Sequence, residues 1–213
     1  MKDTAYLVIG NDIDLQHYPF KEDSLIVGVD RGALALAQAH CRIDLAYGDF
    51  DSVSKEELDL IRNSSSSITF LNPVKDVSDT EGILEKTEDY RHIVLLGAIQ
   101  GKRPEHFLSN LKFFNKLDNL IMEDDHTIIT KLLSSASPYV FKHDSHRFYS
   151  FFPLGRSIIT LEGFYYPLKG KKIDKDTSPS LLISNEIRNE GKVILKGDPV
   201  LLFRSKDDER WKL

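Results

Sequence analysis

The chain contains a single cysteine, Cys41, among 213 residues. One thiol can neither close an internal disulfide nor build a thiolate metal site, so disulfide scaffolds and zinc fingers fall away and a reducing compartment is indicated. Long apolar runs are also lacking. The stretch nearest the amino terminus, Ala5–Ile9, is far shorter than the roughly 20 residues a membrane helix needs. No Lys/Arg-flanked signal core precedes it, so a cytoplasmic protein without a membrane partner is expected. Positive charge is in deficit: 28 Lys and Arg against 33 Asp and Glu leave a net charge of -5. That balance argues against a broad electropositive surface, and nucleic acid is not an expected partner. The familiar phosphate loops G-x-x-x-x-G-K-[ST] and G-x-G-x-x-G are absent, as is the G-x-S-x-G nucleophile elbow.

What remains is an ordinary globular composition, 41% hydrophobic and 29% charged, in a chain long enough to bury a real core. Its character changes halfway. Through residue 123, apolar runs at 5–9, 25–29, 45–46, 68–70, 93–96 and 120–122 read as strands. They alternate with helix-period segments at 31–40, 55–63, 79–87 and 105–117. Such alternation predicts an α/β domain over residues 1–123, a Rossmann-like parallel sheet with right-handed crossovers. From 124 to 213, short runs at 139–141, 148–152, 157–161, 181–183, 192–195 and 200–203 are punctuated by Pro, Gly, Asn and Asp. They predict a small all-β sandwich or barrel.

In open parallel sheets, ligands bind beyond the carboxyl ends of the strands. This sequence places acids there. LIVGVD ends in Asp30, and DLAYGDFDS carries Asp49 and Asp51. In an extended segment residues i and i+2 share a face, so both could look into one crevice with Phe50 packed beneath. Clustered carboxylates beside phosphate call for a cation, usually Mg²⁺. The plainer alternative is a turn in which Asp51 or Ser52 caps the next helix. The loop 74–81, with Lys75, Asp76, Ser78 and Asp79, likewise follows a strand. Ser78 or Asp79 could simply cap a helix there, yet five acids on one edge exceed what capping requires. A third loop, Gly97–His106, puts Gly, Lys102 and Arg103 before a helix, an arrangement that cradles phosphate.

In chain order, VDRGA, YGDFDS, KDVSDTE, GAIQGKRPEHFLSNL, EGFYYPL and LLISNE resemble the thiamine pyrophosphokinase family over nearly the whole sequence. The resemblance implies transfer of pyrophosphate from ATP to thiamine. It also implies an amino-terminal domain for catalysis and ATP/Mg²⁺ binding and a carboxyl-terminal domain for thiamine. It assigns Asp49, Asp51, Asp76 and Asp79 to Mg²⁺ and the triphosphate, with Asp30 and Lys75 beside them. Asp79 would orient the thiamine hydroxyl or take its proton. Arg103, His106 and Asn110 would contact nucleotide, although the loop carries one extra residue and has Glu105 where aspartate is usual. Ser78, Asp79, Ser184 and Asn185 would contact thiamine. The family's homodimer, with a pocket shared between subunits, is expected here too. For Tyr165 and Tyr166 the expectation is a strand with one ring in the core. Two other readings compete: a metal-dependent glycosyltransferase using Asp49-Phe50-Asp51 as D-x-D, and a non-catalytic thiamine or nucleotide sensor.

Overall fold

The computed structural model of the chain describes residues 2–10, 13–72, 77–101 and 103–207. Its contacts divide it into two compact units, 1–125 and 126–213.

The first unit carries six parallel strands: β1 (Thr4–Val8), β2 (Leu25–Val29), β3 (Leu45–Gly48), β4 (Ile68–Phe70), β5 (His92–Leu96) and β6 (Leu120–Glu123). Their order across the sheet is β4-β3-β2-β1-β5-β6. Successive strands run one way from β1 to β4 and the other way from β5, so the order reverses between β1 and β5. β1 is buried along its whole length, as expected of a central strand covered on both faces. The helices are α1 (Arg31–Gln38), α2 (Lys55–Ser64), α3 (Asp79–Thr87) and α4 (Pro104–Leu111), the last continuing as a 3-10 turn over Lys112–Asn115. Ser54 starts α2 with a capping box: its hydroxyl accepts from the Glu57 N–H at 3.2 Å, and the Glu57 carboxylate accepts from the Ser54 N–H at 2.7 Å. Side chains from α1, β1 and β2, among them Leu36, Val8 and Ile26, form one continuous core.

The second unit is all-β. One set of antiparallel strands pairs β7 (Thr127–Leu132) with β13 (Val200–Ser205) and β13 with β9 (Phe148–Pro153). A second sheet has the order β11-β10-β12-β8, built from β11 (Leu168–Ile173), β10 (Ser157–Phe164), β12 (Ile187–Gly197) and β8 (Tyr139–Lys142). Alternate residues point inward, and Phe151, Phe164, Ile159, Leu195 and Leu202 meet in one sandwich core. The fold is therefore an α/β unit with a parallel sheet followed by an antiparallel β-sandwich.

Three sequence expectations change. The run 181–183 is no strand; Pro179–Leu181 forms a 3-10 turn, a conformation proline favours at its start. β7 and β11 were not anticipated, because TIITKL and LKGKKI carry polar and basic residues where a buried strand would be apolar. Finally, neither Tyr165 nor Tyr166 enters the core. They are 55% and 70% exposed, while Phe164, the last residue of β10, takes the buried place at 2%. No helix among the described residues is long and apolar enough to cross a membrane.

Candidate functional site

A crevice of about 800 Å³ opens at the carboxyl edge of the parallel sheet, within the first unit. It lies across the point where strand order reverses, the usual ligand position in open α/β sheets. There Gly10, after β1, and Gly97, after β5, bring their backbones into contact. A Cβ on Gly10 would lie 2.7 Å from the Gly97 carbonyl oxygen, and one on Gly97 2.8 Å from the Gly10 Cα. No side chain fits between them, so ligand can approach bare backbone.

On the β2–β4 side of that point three acids converge among the described residues. Asp30 follows β2, Asp49 follows β3, and Asp79 opens α3; each offers a carboxylate oxygen, and these lie within 4.8 Å of one another. Gly48 makes the approach possible, since a Cβ there would fall 1.9 Å from Asp30 Oδ1. Asp30 and Phe50 both occupy left-handed backbone, with φ of 47° and 56°, a conformation such residues hold only when surrounding contacts impose it. For Asp30 the backbone N–H donates to the Tyr47 carbonyl at 3.1 Å. The ring of Phe50 is buried against Phe70, with centroids 5.4 Å apart.

The left-handed Phe50 alters the expected geometry. The segment turns at Phe50 instead of staying extended, yet Asp49 and Asp51 both line the crevice and the Phe50 ring is buried. Asp51 is exposed, lines the crevice, and donates its backbone N–H to Asp49 Oδ1 at 3.2 Å. The tight trio is completed by Asp30. Burial, a hydrogen bond with Asp79 and the charges of Asp79 and Asp49 push the Asp30 carboxyl up to about 7. A site that penalises its own negative charge in this way, with an all-oxygen donor set, fits a hard divalent cation such as Mg²⁺.

The other expected residues are placed as follows. Ser78 lines the crevice and caps α3, its hydroxyl accepting from the Glu81 N–H at 3.2 Å. Arg103 and His106 line the crevice at the start of α4. Arg103 Nε also donates to Glu105 at 2.8 Å, and this pairing holds the Glu105 carboxyl below its ordinary range. Asn110 is buried, donating to the Ala98 carbonyl at 3.4 Å. Lys75 and Asp76 lie outside the described residues. Ser184 and Asn185 belong to the second unit. Ser184 is left-handed, with φ of 54°. Asn185 is buried, and its side-chain amide accepts from the N–H groups of Tyr166 and Glu186 and donates to the Tyr166 carbonyl.

Two polar crevice residues, Arg31 and Gln100, carry no role assigned from sequence. Arg31, at the first position of α1, lines the crevice and donates to the Ser52 carbonyl at 3.1 Å; its signal was the VDRGA segment itself. Gln100 donates to buried Asp124, a contact across 24 residues that no local pattern announces.

Fold and crevice together define an α/β enzyme with an acid-rich site at a parallel-sheet edge, followed in the chain by a β-sandwich unit. Residues 17–123 match the model of the thiamin pyrophosphokinase catalytic domain, and residues 139–199 match that of the thiamin pyrophosphokinase vitamin B1 binding domain. A thiamine pyrophosphokinase of Bacillus subtilis is 29% identical over 196 residues, covering 87% of this chain and 89% of the relative. A crystal structure of thiamine pyrophosphokinase from that organism superposes with a TM-score of 0.85 over 97% of this chain and 100% of the other. One from Geobacillus thermodenitrificans gives 0.82 at 28% identity, over 97% and 99%. The chain belongs to the thiamin pyrophosphokinase family, and its activity is that of a thiamine diphosphokinase.

Proposed function

We propose that the thiamine hydroxyl attacks the β-phosphorus of ATP at this acidic lip, the β–α phosphate bond breaks, and thiamine diphosphate and AMP are formed. The observation that carries the assignment is the meeting of Asp30, Asp49 and Asp79 oxygens within 4.8 Å. Those three carboxylates would hold Mg²⁺, with Asp51 as a further acid lining the crevice; Asp76, assigned to the metal by the family resemblance, lies outside the described residues. The cation, when bound, supplies charge neutralisation across the polyphosphate. Asp79, placed at the start of α3, orients the hydroxyl or accepts its proton. Arg31, Arg103 and His106 provide cationic and donor groups along the crevice for phosphate oxygens; Lys75, which the family resemblance directs to phosphate, lies outside the described residues. Asn110, which lines the crevice and donates to the Ala98 carbonyl, is the further nucleotide contact.

Thiamine is assigned to Ser78 and Asp79 from one subunit and to the Ser184 loop of a second copy, giving a homodimer. Two features support this. The crevice wall offers little aromatic surface, whereas the turn around Asn185 presents Tyr165, Tyr166 and Ile183 to solvent. A cytoplasmic setting accords with the single cysteine. Sugar transfer and mere sensing are not favoured, because the matched catalytic and vitamin-binding models account for both units. The test is AMP release with and without thiamine in the presence of Mg²⁺. AMP formed stoichiometrically with thiamine diphosphate supports the assignment; binding without turnover, or sugar transfer from a nucleotide sugar, refutes it.

A further inference from the structure

Gln100 follows β5 on the crevice wall, and Asp124 follows β6. Asp124 is only 5% exposed and accepts a hydrogen bond of 2.9 Å from Gln100 Nε2. That bond, donated by the NH₂ to a carboxylate oxygen, fixes which end of the planar amide faces Asp124. The NH₂ turns to Asp124, and Oε1 is left as the outward end. Among the described residues the Gln100 side chain has no other hydrogen bond, and it lines the crevice. A buried acid thus converts an amide that could present either polarity into a dedicated acceptor.

Its position along the sheet edge selects what it meets. With neighbouring strands about 4.8 Å apart, the end of β5 lies roughly 10 Å from that of β2, and the end of β6 roughly 14 Å. The acid trio marks where phosphates sit, on the β2–β4 side. An acceptor two to three strands away, across the Gly10–Gly97 contact, stands at the distance a nucleoside base reaches from its own β-phosphate. Resting on the ATP assignment made above, we propose that Gln100 is a specificity residue that accepts a hydrogen bond from the exocyclic 6-amino group of the adenine base, with Asp124 as its positioning residue. The pairing is also a discrimination device, because a base with a 6-oxo group would set acceptor against acceptor.

The experiment measures steady-state AMP or IMP release with ATP and with inosine triphosphate, at saturating thiamine and Mg²⁺. The wild-type enzyme is expected to show a lower KM for ATP. In Gln100→Ala the KM for ATP should rise about 10-fold, the worth of roughly one hydrogen bond, with kcat little changed and inosine triphosphate unaffected, so the preference collapses. Asp124→Asn, which can receive either end of the amide, should give an intermediate loss of preference with the same KM-against-kcat split. Equal effects on both nucleotides, or wild-type enzyme indifferent to the 6-substituent, would overturn the proposal. So would a Gln100→Ala effect confined to thiamine and absent with its 4-oxo analogue, since the amide would then read the aminopyrimidine. Wild-type enzyme that releases no AMP would instead refute the ATP assignment, so the two failures are told apart.

Discussion

The backbone N–H of Phe50 donates to Asp30 Oδ1 at 3.3 Å, tying together two residues that are both left-handed. Each such conformation costs on the order of 1–3 kcal/mol in a non-glycine residue, and here each strained residue helps to hold the other. The bond also supplies a donor to the Asp30 oxygen that faces Gly48. The acid trio is therefore assembled by backbone geometry as much as by side-chain choice.

Gly48→Ala tests that geometry. With the new methyl set 1.9 Å from Asp30 Oδ1, the Asp30 carboxylate must leave its present position in the trio. A loss of roughly 1–3 kcal/mol in stability is expected, together with activity falling by at least about 10-fold. Chemical denaturation and AMP release on the same preparation check both. Retention of full activity would show that the trio tolerates displacement.

Asp49→Asn and Asp79→Asn remove one charge each from the trio while keeping shape. Turnover should drop by roughly 100-fold or more, the scale seen when a preorganised charge-stabilising group is removed. The melting temperature of the metal-free protein should hold steady or rise, because repulsion is relieved. Chelating divalent cations from the wild-type enzyme should mimic the loss of turnover and be reversed by adding Mg²⁺.

The pH dependence of stability follows from Asp30, raised to about 7 by burial and by its acidic neighbours, against 3.8 for the free group. Between those values the folded state binds more protons than the unfolded one, so stability falls as pH rises through the window and is lowest above it. Metal-free protein should melt at a higher temperature at pH 5.5 than at pH 8, and Mg²⁺ should narrow that gap by raising the melting temperature at pH 8, where it takes the proton's place. His146 works in the opposite sense: burial first, then the Arg204 charge, lowers it from 6.5, so its contribution is lost on acidification. The difference between wild type and Asp30→Asn isolates the acid. Parallel melting curves for the two across this range would contradict the assignment.

Ser54→Ala removes the α2 cap and should cost about 1 kcal/mol while leaving kcat and KM unchanged, since Ser54 does not line the crevice. Denaturant melts and steady-state kinetics decide this. A kinetic defect would mean that α2 couples to the site.

Much of the first unit was legible because its periodicity is strong: the predicted ranges 25–29 and 79–87 coincide with β2 and α3. That acids on several strand ends gather at one edge follows from parallel topology alone. Which acids meet most closely does not. An aromatic residue at positive φ has no local signature, so the turn at Phe50 that sets Asp51 outside the trio and leaves Asp30 within it emerges only in three dimensions. The Gln100–Asp124 pair is hidden for a related reason, being made by the adjacency of β5 and β6. In the second unit, β11 escaped notice because lysines fill its solvent face, where burial imposes no apolar pattern.

Asn185 is a molecular rivet: through its amide and main chain it clasps Tyr149, Tyr166 and Glu186. Its solvent-facing neighbours Ile183, Tyr165 and Tyr166 can be varied without unpinning the turn, whereas changing the rivet would loosen the platform that displays them.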